Sequence, residues 1–253
     1  MENPALIKLK GLNKGFGKKI ILNNVNLDIH KGEIIGIVGK SGIGKTTLLK
    51  TIIGFLEPDK GEVLFEQKPV FNRSEHFQHF GFSTQEKSFY STLTVKENLI
   101  YFASLYNVPK DELEEKINSV LRCVRLENDK NSIAGELSQG MQKRLDIACS
   151  IIHNPKILIV DEPTADLDPV LRKQMWLLIK SWNSNRDKTI IVSSHFLPEL
   201  SPICDRLFLL KNQKLEAIDA SKKQDISKMY GDLINVNIDS LIKKREVQYE
   251  KTR

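Results

Sequence analysis

Short apolar segments alternate with polar turns along most of the chain, and their pattern predicts β-strands. Residues 34–38 and 157–160 are almost continuously apolar, which is typical of strands buried on both faces of a parallel sheet. Residues 5–9 and 20–29 carry apolar side chains at alternate positions in places, as half-buried strands do. The predicted strands comprise residues 5–9, 20–29, 34–38, 62–65, 80–82, 157–160, 189–192 and 207–210.

Apolar residues at helical spacing predict four helices, two of them in the middle of the chain. Residues 94–153 are mostly helical in pattern, and Asp111, with Glu114 three residues later, resembles a helix start. Strands that alternate with helices favour a parallel α/β sheet, so the helical middle is expected to be an inserted subdomain. The predicted helices comprise residues 46–54, 110–126, 138–152 and 170–182.

Composition and charge narrow the class of protein without identifying it. The chain has 253 residues, of which 40% are hydrophobic and 28% charged, as in a soluble globular protein. The formal net charge of +6 is compatible with nucleic acid or anionic lipid as a partner but requires neither. Residues 220–253 contain eight basic and five acidic residues, so half of the excess charge lies in this basic tail.

The sequence offers no sign of a membrane span, a secretory signal or a disulfide framework. No apolar run reaches the roughly 18 residues that a bilayer-spanning helix needs, and no basic and apolar leader begins the chain. The three cysteines are widely spaced and form no CxxC pair. A reducing cytosol is therefore the expected environment.

A glycine-rich segment after the predicted strand 34–38 matches the pattern GxxxxGK[ST]. Its backbone N–H groups and the start of the following helix favour anions, and its lysine can reach the β- and γ-phosphates of a nucleotide. A glycine turn before a lysine is the plain alternative, but the strand before it and the helix after it favour the phosphate loop. The residues expected to contact phosphate are Gly39, Lys40, Ser41, Gly42, Ile43, Gly44, Lys45, Thr46 and Thr47.

Two carboxylates follow the predicted strand 157–160. Asp161, at the carboxyl edge of a parallel sheet, can hold Mg²⁺, and Glu162 can act as a general base towards water. Taken alone, the pair is also typical of a solvated acidic turn. The phosphate loop makes the catalytic interpretation the stronger one.

The segment Leu137-Ser138-Gln139-Gly140-Met141 resembles the LSGGQ signature of ABC ATPases, the nucleotide-binding subunits of ATP-binding-cassette transporters. The other motifs of that family occur in order, and the resemblance covers roughly residues 5–215. Phe16 resembles the aromatic residue that stacks on adenine, Gln85 the Q-loop glutamine, Asp161 and Glu162 the Walker B pair, residues 165–168 the D-loop, and His195 the switch histidine.

The resemblance implies a fold, two cofactors and a set of site residues. The fold is an α/β P-loop NTPase with a RecA-like parallel or mixed sheet, an N-terminal antiparallel β subdomain and an inserted α-helical subdomain. The implied cofactors are ATP and Mg²⁺. Catalytic roles fall to Lys45, Glu162 and His195, metal contacts to Thr46, Gln85 and Asp161, and further nucleotide contacts to Phe16, Ser138, Gly140 and Asp168.

Three departures from the family pattern accompany this resemblance. Gln139 replaces the first glycine of the signature, Met141 its final glutamine, and Asp166 stands where the D-loop commonly has alanine or glycine. The signature serine and second glycine remain, as do the lysine and carboxylates of the phosphate site, so an active ATPase is expected.

The resemblance also implies partners and a location. The expected partners are a second ABC cassette, bound head to tail, and a separate polytopic membrane permease, which places the chain at the cytoplasmic face of the membrane; no nucleic acid is expected. Residues 89–90 and 93–98, together with Met141, are similar to export-type subunits, which favours export. The alternatives are a soluble ABC ATPase, such as an iron–sulfur assembly cassette, and a non-catalytic nucleotide-binding scaffold.

The same reasoning predicts domain boundaries. An ATPase cassette is expected over residues 1–219, with its core at about 1–85 and 155–219 and its helical subdomain at about 86–154. Residues 220–253 are expected to form a basic C-terminal tail.

Overall fold

The computed structural model describes residues 4–71 and 74–218, so the predicted tail lies outside the described residues. Within these ranges the strands form two sheets. The strands are β1 (Ile7–Phe16), β2 (Lys19–Ile29), β3 (Ile34–Val38), β4 (Lys60–Phe65), β5 (Lys68–Pro69), β6 (Phe80–Ser83), β7 (Ile157–Asp161), β8 (Thr189–Ser194), β9 (Arg206–Lys211) and β10 (Lys214–Ile218).

The helices lie mainly between β6 and β8. Short 3₁₀ helices at Ser74–His79, Glu127–Asp129 and Ala134–Glu136 accompany them. The α-helices are α1 (Lys45–Ile53), α2 (Val95–Leu105), α3 (Lys110–Val124), α4 (Gln139–Ile151), α5 (Pro169–Trp182) and α6 (Leu197–Leu200). In the described part of the chain, no helix combines the length and the apolar character that crossing a bilayer requires.

The larger sheet confirms the predicted α/β fold. Its strand order is β10-β9-β3-β8-β7-β6, and all neighbours from β9 to β6 run parallel, while β10 is antiparallel to β9. The smaller sheet, of order β2-β1-β4-β5, is entirely antiparallel and precedes most of the larger sheet in the chain, as the family resemblance implied.

The continuously apolar central strands are explained by a core on each face of the larger sheet. In β3, Ile35 and Ile37 pack in the core shared with α1 and the antiparallel sheet, whereas Ile34 and Val38 pack in the core shared with α2 to α5. Every residue of β3, β7 and β8 is buried. Alternate side chains of one strand therefore enter different cores, which leaves no place for a polar face.

Some predicted bounds were wrong for identifiable reasons. Strand β1 continues to Phe16, because its polar second half pairs with β2 through several register shifts. Helix α3 begins at Lys110, as predicted, but ends at Val124, two residues before the predicted end, and its N-cap is Pro109, so Asp111 lies in the first turn and does not start the helix. The short elements β5, β10 and α6 were not predicted.

The parallel strands carry the motif residues to one edge of the sheet. The phosphate loop follows the carboxyl end of β3, Glu162 follows β7, and His195 follows β8. Gln85 comes two residues after β6 at the same edge. Ligands of open α/β sheets bind at this edge, so the topology itself assembles the candidate site.

Candidate active site

The phosphate loop joins β3 to α1 through a glycine that no other residue type replaces easily. Gly44 is the N-cap of α1, has a φ of 117°, and makes no side-chain capping bond. A Cβ at this position would lie 2.5 Å from Cγ2 of Ile21. The first N–H groups of a helix have no intrahelical partner, so the start of α1 offers donors and a positive dipole end to an anion.

Lys45 is buried beneath this loop and is held by three oxygens. Its Nζ donates to the carbonyls of Gly39 at 2.8 Å and of Lys40 at 3.0 Å. It also lies 3.0 Å from Oε1 of Glu162, and both side chains are at least nine-tenths buried. A buried ammonium is tolerated only when it is paired and hydrogen-bonded in this way.

Glu162 connects Lys45 to the predicted switch histidine. Its Oε2 lies 2.8 Å from Nδ1 of His195, and its backbone N–H donates to the Ser193 hydroxyl at 3.0 Å. Its φ of 51° places it in the left-handed region, which is uncommon for non-glycine residues. The carboxylate is thus oriented by groups on β8 and on the phosphate loop.

Asp161 uses both of its oxygens within the protein. Oδ2 accepts from the hydroxyl of Thr46 at 2.5 Å, and Oδ1 accepts from the hydroxyl of Ser193 at 2.5 Å. The described residues contain no group of three or more His, Cys, Asp or Glu that could cage a metal ion. One carboxylate beside one hydroxyl nevertheless fits Mg²⁺, which commonly takes one or two protein ligands and completes its shell with water and phosphate oxygens.

An open cavity of about 380 Å³ lies above these groups, a size typical of small-molecule sites. It brings together nine of the predicted residues: Ser41, Gly42, Gly44, Lys45, Thr46, Thr47, Gln85, Glu162 and His195. Ile21, Ala165 and Asp166 also line it and were not assigned to the site from the sequence. Ile21 lies on β2 beside Gly44, but it stands in the apolar run Ile20-Ile21-Leu22, which does not indicate which of these side chains turns towards the loop.

The other predicted residues contribute differently or lie elsewhere. Gly39, Lys40, Ile43 and Asp161 do not line the cavity; the first two hold Lys45, and Asp161 holds Thr46. Phe16 lies at the end of β1 and is 52% exposed. Within this chain it is outside the cavity lining.

The signature residues are also outside the cavity and have structural contacts of their own. Ser138 caps α4 by accepting from the N–H of Met141 at 3.4 Å. Gly140 is buried, and a Cβ there would lie 3.2 Å from the Leu171 side chain. Asp168 caps α5, accepting from the N–H groups of Val170 at 2.8 Å and Leu171 at 3.0 Å.

Comparison with known proteins places this geometry in a family. Residues 22–165 match the family model described as ABC transporter. The Nod factor export ATP-binding protein I of Burkholderia lata is 33% identical over 235 residues, which is 90% of this chain and 77% of that protein. ABC transporter G family member 23 of Dictyostelium discoideum is 36% identical over 217 residues, or 85% of this chain, and this chain spans only 31% of its length.

A solved structure agrees with the sequence matches. The structure of cbiO1 from Clostridium perfringens, described as part of the ABC transporter complex cbiONQ, superposes with a TM-score of 0.80 and 27% identity. The match covers 90% of this chain and 92% of that one. These names favour an ATP-binding subunit of a transporter over the alternative, a soluble ABC ATPase. The chain therefore belongs to the ABC transporter family, as an ATP-binding subunit that carries the family's ATPase domain.

Proposed function

We propose that two cassettes bind Mg-ATP head to tail, hydrolyse it, and drive export through a separate membrane permease. The observation that carries the proposal is the division of the predicted site. Lys45, Glu162 and His195 meet around one cavity, whereas Ser138 and Gly140 lie outside it. A site divided in this way is complete when a second cassette presents its own signature segment, residues 137–141.

The cavity residues supply the chemistry of hydrolysis. Lys45 binds the β- and γ-phosphates, and His195 contacts the γ-phosphate. Glu162 accepts the proton of the attacking water as general base. Because its Oε1 lies 3.0 Å from Lys45 Nζ, the carboxylate becomes free to do so when Lys45 turns towards phosphate.

Thr46, Asp161 and Gln85 are the residues proposed to hold Mg²⁺, directly or through water. The ion neutralises phosphate charge when bound. The protein fixes the ligands by tying the Thr46 hydroxyl to Asp161, whose other oxygen is held by Ser193. Phe16 offers its exposed ring to adenine.

The signature end of α4 and the D-loop face the second cassette in this proposal. Ser138 already directs its side chain to the first turn of α4, so the remaining N–H groups there are available to a phosphate of the partner's nucleotide. Asp168 holds the D-loop by capping α5. The departures at Gln139, Met141 and Asp166 leave these roles intact.

The membrane partner is proposed to contact the helical part of the chain. Tyr90 and Tyr101 are both exposed there, and their hydroxyls are 3.0 Å apart. The subunit would then lie at the cytoplasmic face of the membrane, held by its permease. The name of the Burkholderia lata relative refers to export, which supports that direction.

The proposed domain boundaries follow the positions of the helices and the sheets along the chain. Helices α2 to α4 fall within residues 86–154, proposed as the helical subdomain, and both sheets fall within residues 1–85 and 155–219, proposed as the core of the cassette. Residues 220–253 are proposed to be a basic tail.

Hydrolysis by the purified full-length chain tests the proposal. We expect Mg²⁺-dependent release of phosphate from ATP, lowered at least about 100-fold by Glu162→Gln, because the amide cannot take up the proton. Glu112→Gln, which changes an exposed carboxylate paired with Lys116, is the matched control and is expected to leave the rate unchanged. Equal rates for the wild type and Glu162→Gln would contradict the assignment.

A further inference from the structure

A buried carboxylate in the middle of helix α4 has no part in the mechanism described so far. We propose that Asp146 is a positioning residue, which holds the Gln85 segment (residues 83–88) against α4 and couples the signature end of that helix to the cavity. The inference rests on the proposed function. Asp146 is 1% exposed, so its contacts are all made within the protein.

One carboxylate fastens both ends of the Gln85 segment. The Ser83 hydroxyl donates to Oδ2 of Asp146. At the other end, Oδ1 accepts from the Ser88 hydroxyl and, at 2.9 Å, from the Ser88 backbone N–H. Gln85 lies between these two attachments, so the conformations open to it are limited by a residue on another element.

Lys143, one turn earlier on α4, adds a second link to the same segment. Its Nζ donates to the carbonyl of Thr84 at 2.6 Å and lies 3.9 Å from Oδ2 of Asp146. Burial lowers the pKa of the Lys143 ammonium, and the Asp146 and Asp161 carboxylates partly restore it. The lysine therefore offsets the buried charge of Asp146 while it holds the residue next to Gln85.

The segment held in this way lies between the two halves of the proposed site. Gln85 lines the cavity of the phosphate loop and also a smaller cavity of about 130 Å³, shared with Gln139 and Asp166. Ser83 ends strand β6 and pairs with Val160, the residue before Asp161. Ser138 caps the same helix about two turns before Asp146.

A rigid helix can transmit a change from one end to the other. When the partner's nucleotide engages Ser138, any tilt of α4 is carried by Asp146 and Lys143 to both sides of Gln85. Without the carboxylate, the segment would keep the Lys143 bond at Thr84 but lose its side-chain attachments to α4 at Ser83 and Ser88. The proposed role is thus to make the position of Gln85 depend on the engagement of the second cassette.

Hydrogen exchange of the full-length chain tests the attachment without relying on activity. Asp146→Asn keeps the shape of the side chain but weakens its bonds to Ser83 and Ser88, so we expect amides in peptides spanning 84–90 to exchange about tenfold faster. Ser88→Ala removes the hydroxyl that donates to Oδ1 of Asp146 and is also expected to speed exchange in this segment. It also serves as the second variant if Asp146→Asn fails to fold. Glu112→Gln is the control, and unchanged exchange in both test variants would overturn the proposal.

A double-mutant cycle separates positioning from stability alone. We expect Asp146→Asn to lower kcat about tenfold and to change KM for ATP less than twofold, but to cause little further loss when it is added to Gln85→Ala. If the fold-losses in kcat of the two single variants multiply in the double variant, the proposal is overturned, because Asp146 then acts independently of Gln85. A wild-type chain without Mg²⁺-dependent hydrolysis would instead contradict the proposed function, while the exchange experiment still decides whether Asp146 holds the segment.

Discussion

Nζ of Lys45 lies 3.0 Å from Oε1 of Glu162 in a buried ion pair, which joins the proposed phosphate ligand to the proposed general base. Each group restrains the other, because Lys45 also bonds to two loop carbonyls and Glu162 also bonds to His195. Phosphate that attracts Lys45 would release one oxygen of Glu162. Binding of phosphate and activation of the general base are thereby linked through the contact between Lys45 and Glu162.

Breaking this pair is predicted to destabilise the chain more than removing both charges. Lys45→Met leaves Glu162 buried without its cation and is expected to cost about 3 kcal/mol of unfolding free energy. Adding Glu162→Gln should recover part of that loss. Urea unfolding of the two single variants and the double variant measures the coupling, and strictly additive losses would contradict a direct interaction.

Thr46→Val is predicted to weaken Mg²⁺ dependence while leaving the fold intact. The substitution removes the hydroxyl that donates to Asp161 at 2.5 Å and keeps a similar volume. The Mg²⁺ concentration at half-maximal hydrolysis should rise about tenfold, since a proposed ligand is lost. Thr46→Ser keeps the hydroxyl and serves as the control; identical Mg²⁺ titrations of the two variants would exclude the hydroxyl as a ligand.

Gly44→Ala is predicted to be more harmful than the same change at Gly17. Both glycines have positive φ, but a Cβ at Gly44 would lie 2.5 Å from Ile21, whereas nothing lies within 4 Å of one at Gly17. We expect a loss of about 2 kcal/mol at Gly44 and about 1 kcal/mol at Gly17. Chemical unfolding measures both, and nucleotide binding should fall only at Gly44. Equal losses would show that backbone strain alone matters.

Acid stability is predicted to depend on His153. Burial, with the nearby Lys188, His79 and Lys116 charges, lowers the pKa of its imidazole from 6.5 to about 4, while its bond to the Phe80 carbonyl opposes the shift. Between these values the unfolded chain binds the proton and the folded chain does not, so stability falls as pH drops from 6.5 towards 4. The change is at most about 3 kcal/mol.

The measurement is thermal unfolding across that pH range for the wild type and His153→Gln. Glutamine can still donate to the Phe80 carbonyl but does not titrate. The variant should therefore lose less stability than the wild type on acidification. If the stability of the two proteins falls in parallel with pH, the acid sensitivity belongs to groups other than His153.

The sequence predicted those parts of the fold in which one local pattern has one structural solution. Strands β3, β7 and β8 were recognisable because two buried faces demand continuous apolar residues. The second half of β1 was not, because its polar residues are ordered by pairing with β2 and by bonds such as Gly15 N–H to Asp59 at 2.7 Å. Long-range pairing of this kind leaves no periodic signal in the chain.

The candidate site, like the fold, was predictable where the signal is local and not where the contacts are long-range. Nine of the residues predicted for the site line the cavity; those of the phosphate loop and Glu162 were predicted from local motifs, whereas Gln85 and His195 came from the family resemblance. The contacts of Asp146 to Ser83 and Ser88 join parts of the chain far apart in sequence, and a lone aspartate in a helix gives no sign of its partners. The capping role of Asp168 could have been read from the proline that follows it.

Native mass spectrometry of full-length Glu162→Gln with Mg-ATP tests the central proposal most directly. The account predicts a complex of two chains and two ATP molecules, because the nucleotides would bridge the phosphate loop of one chain and the signature segment of the other. Adding Ser138→Arg to Glu162→Gln should return the chain to a monomer that still binds ATP. A single chain saturated with ATP and unable to dimerise in either variant would contradict the head-to-tail site.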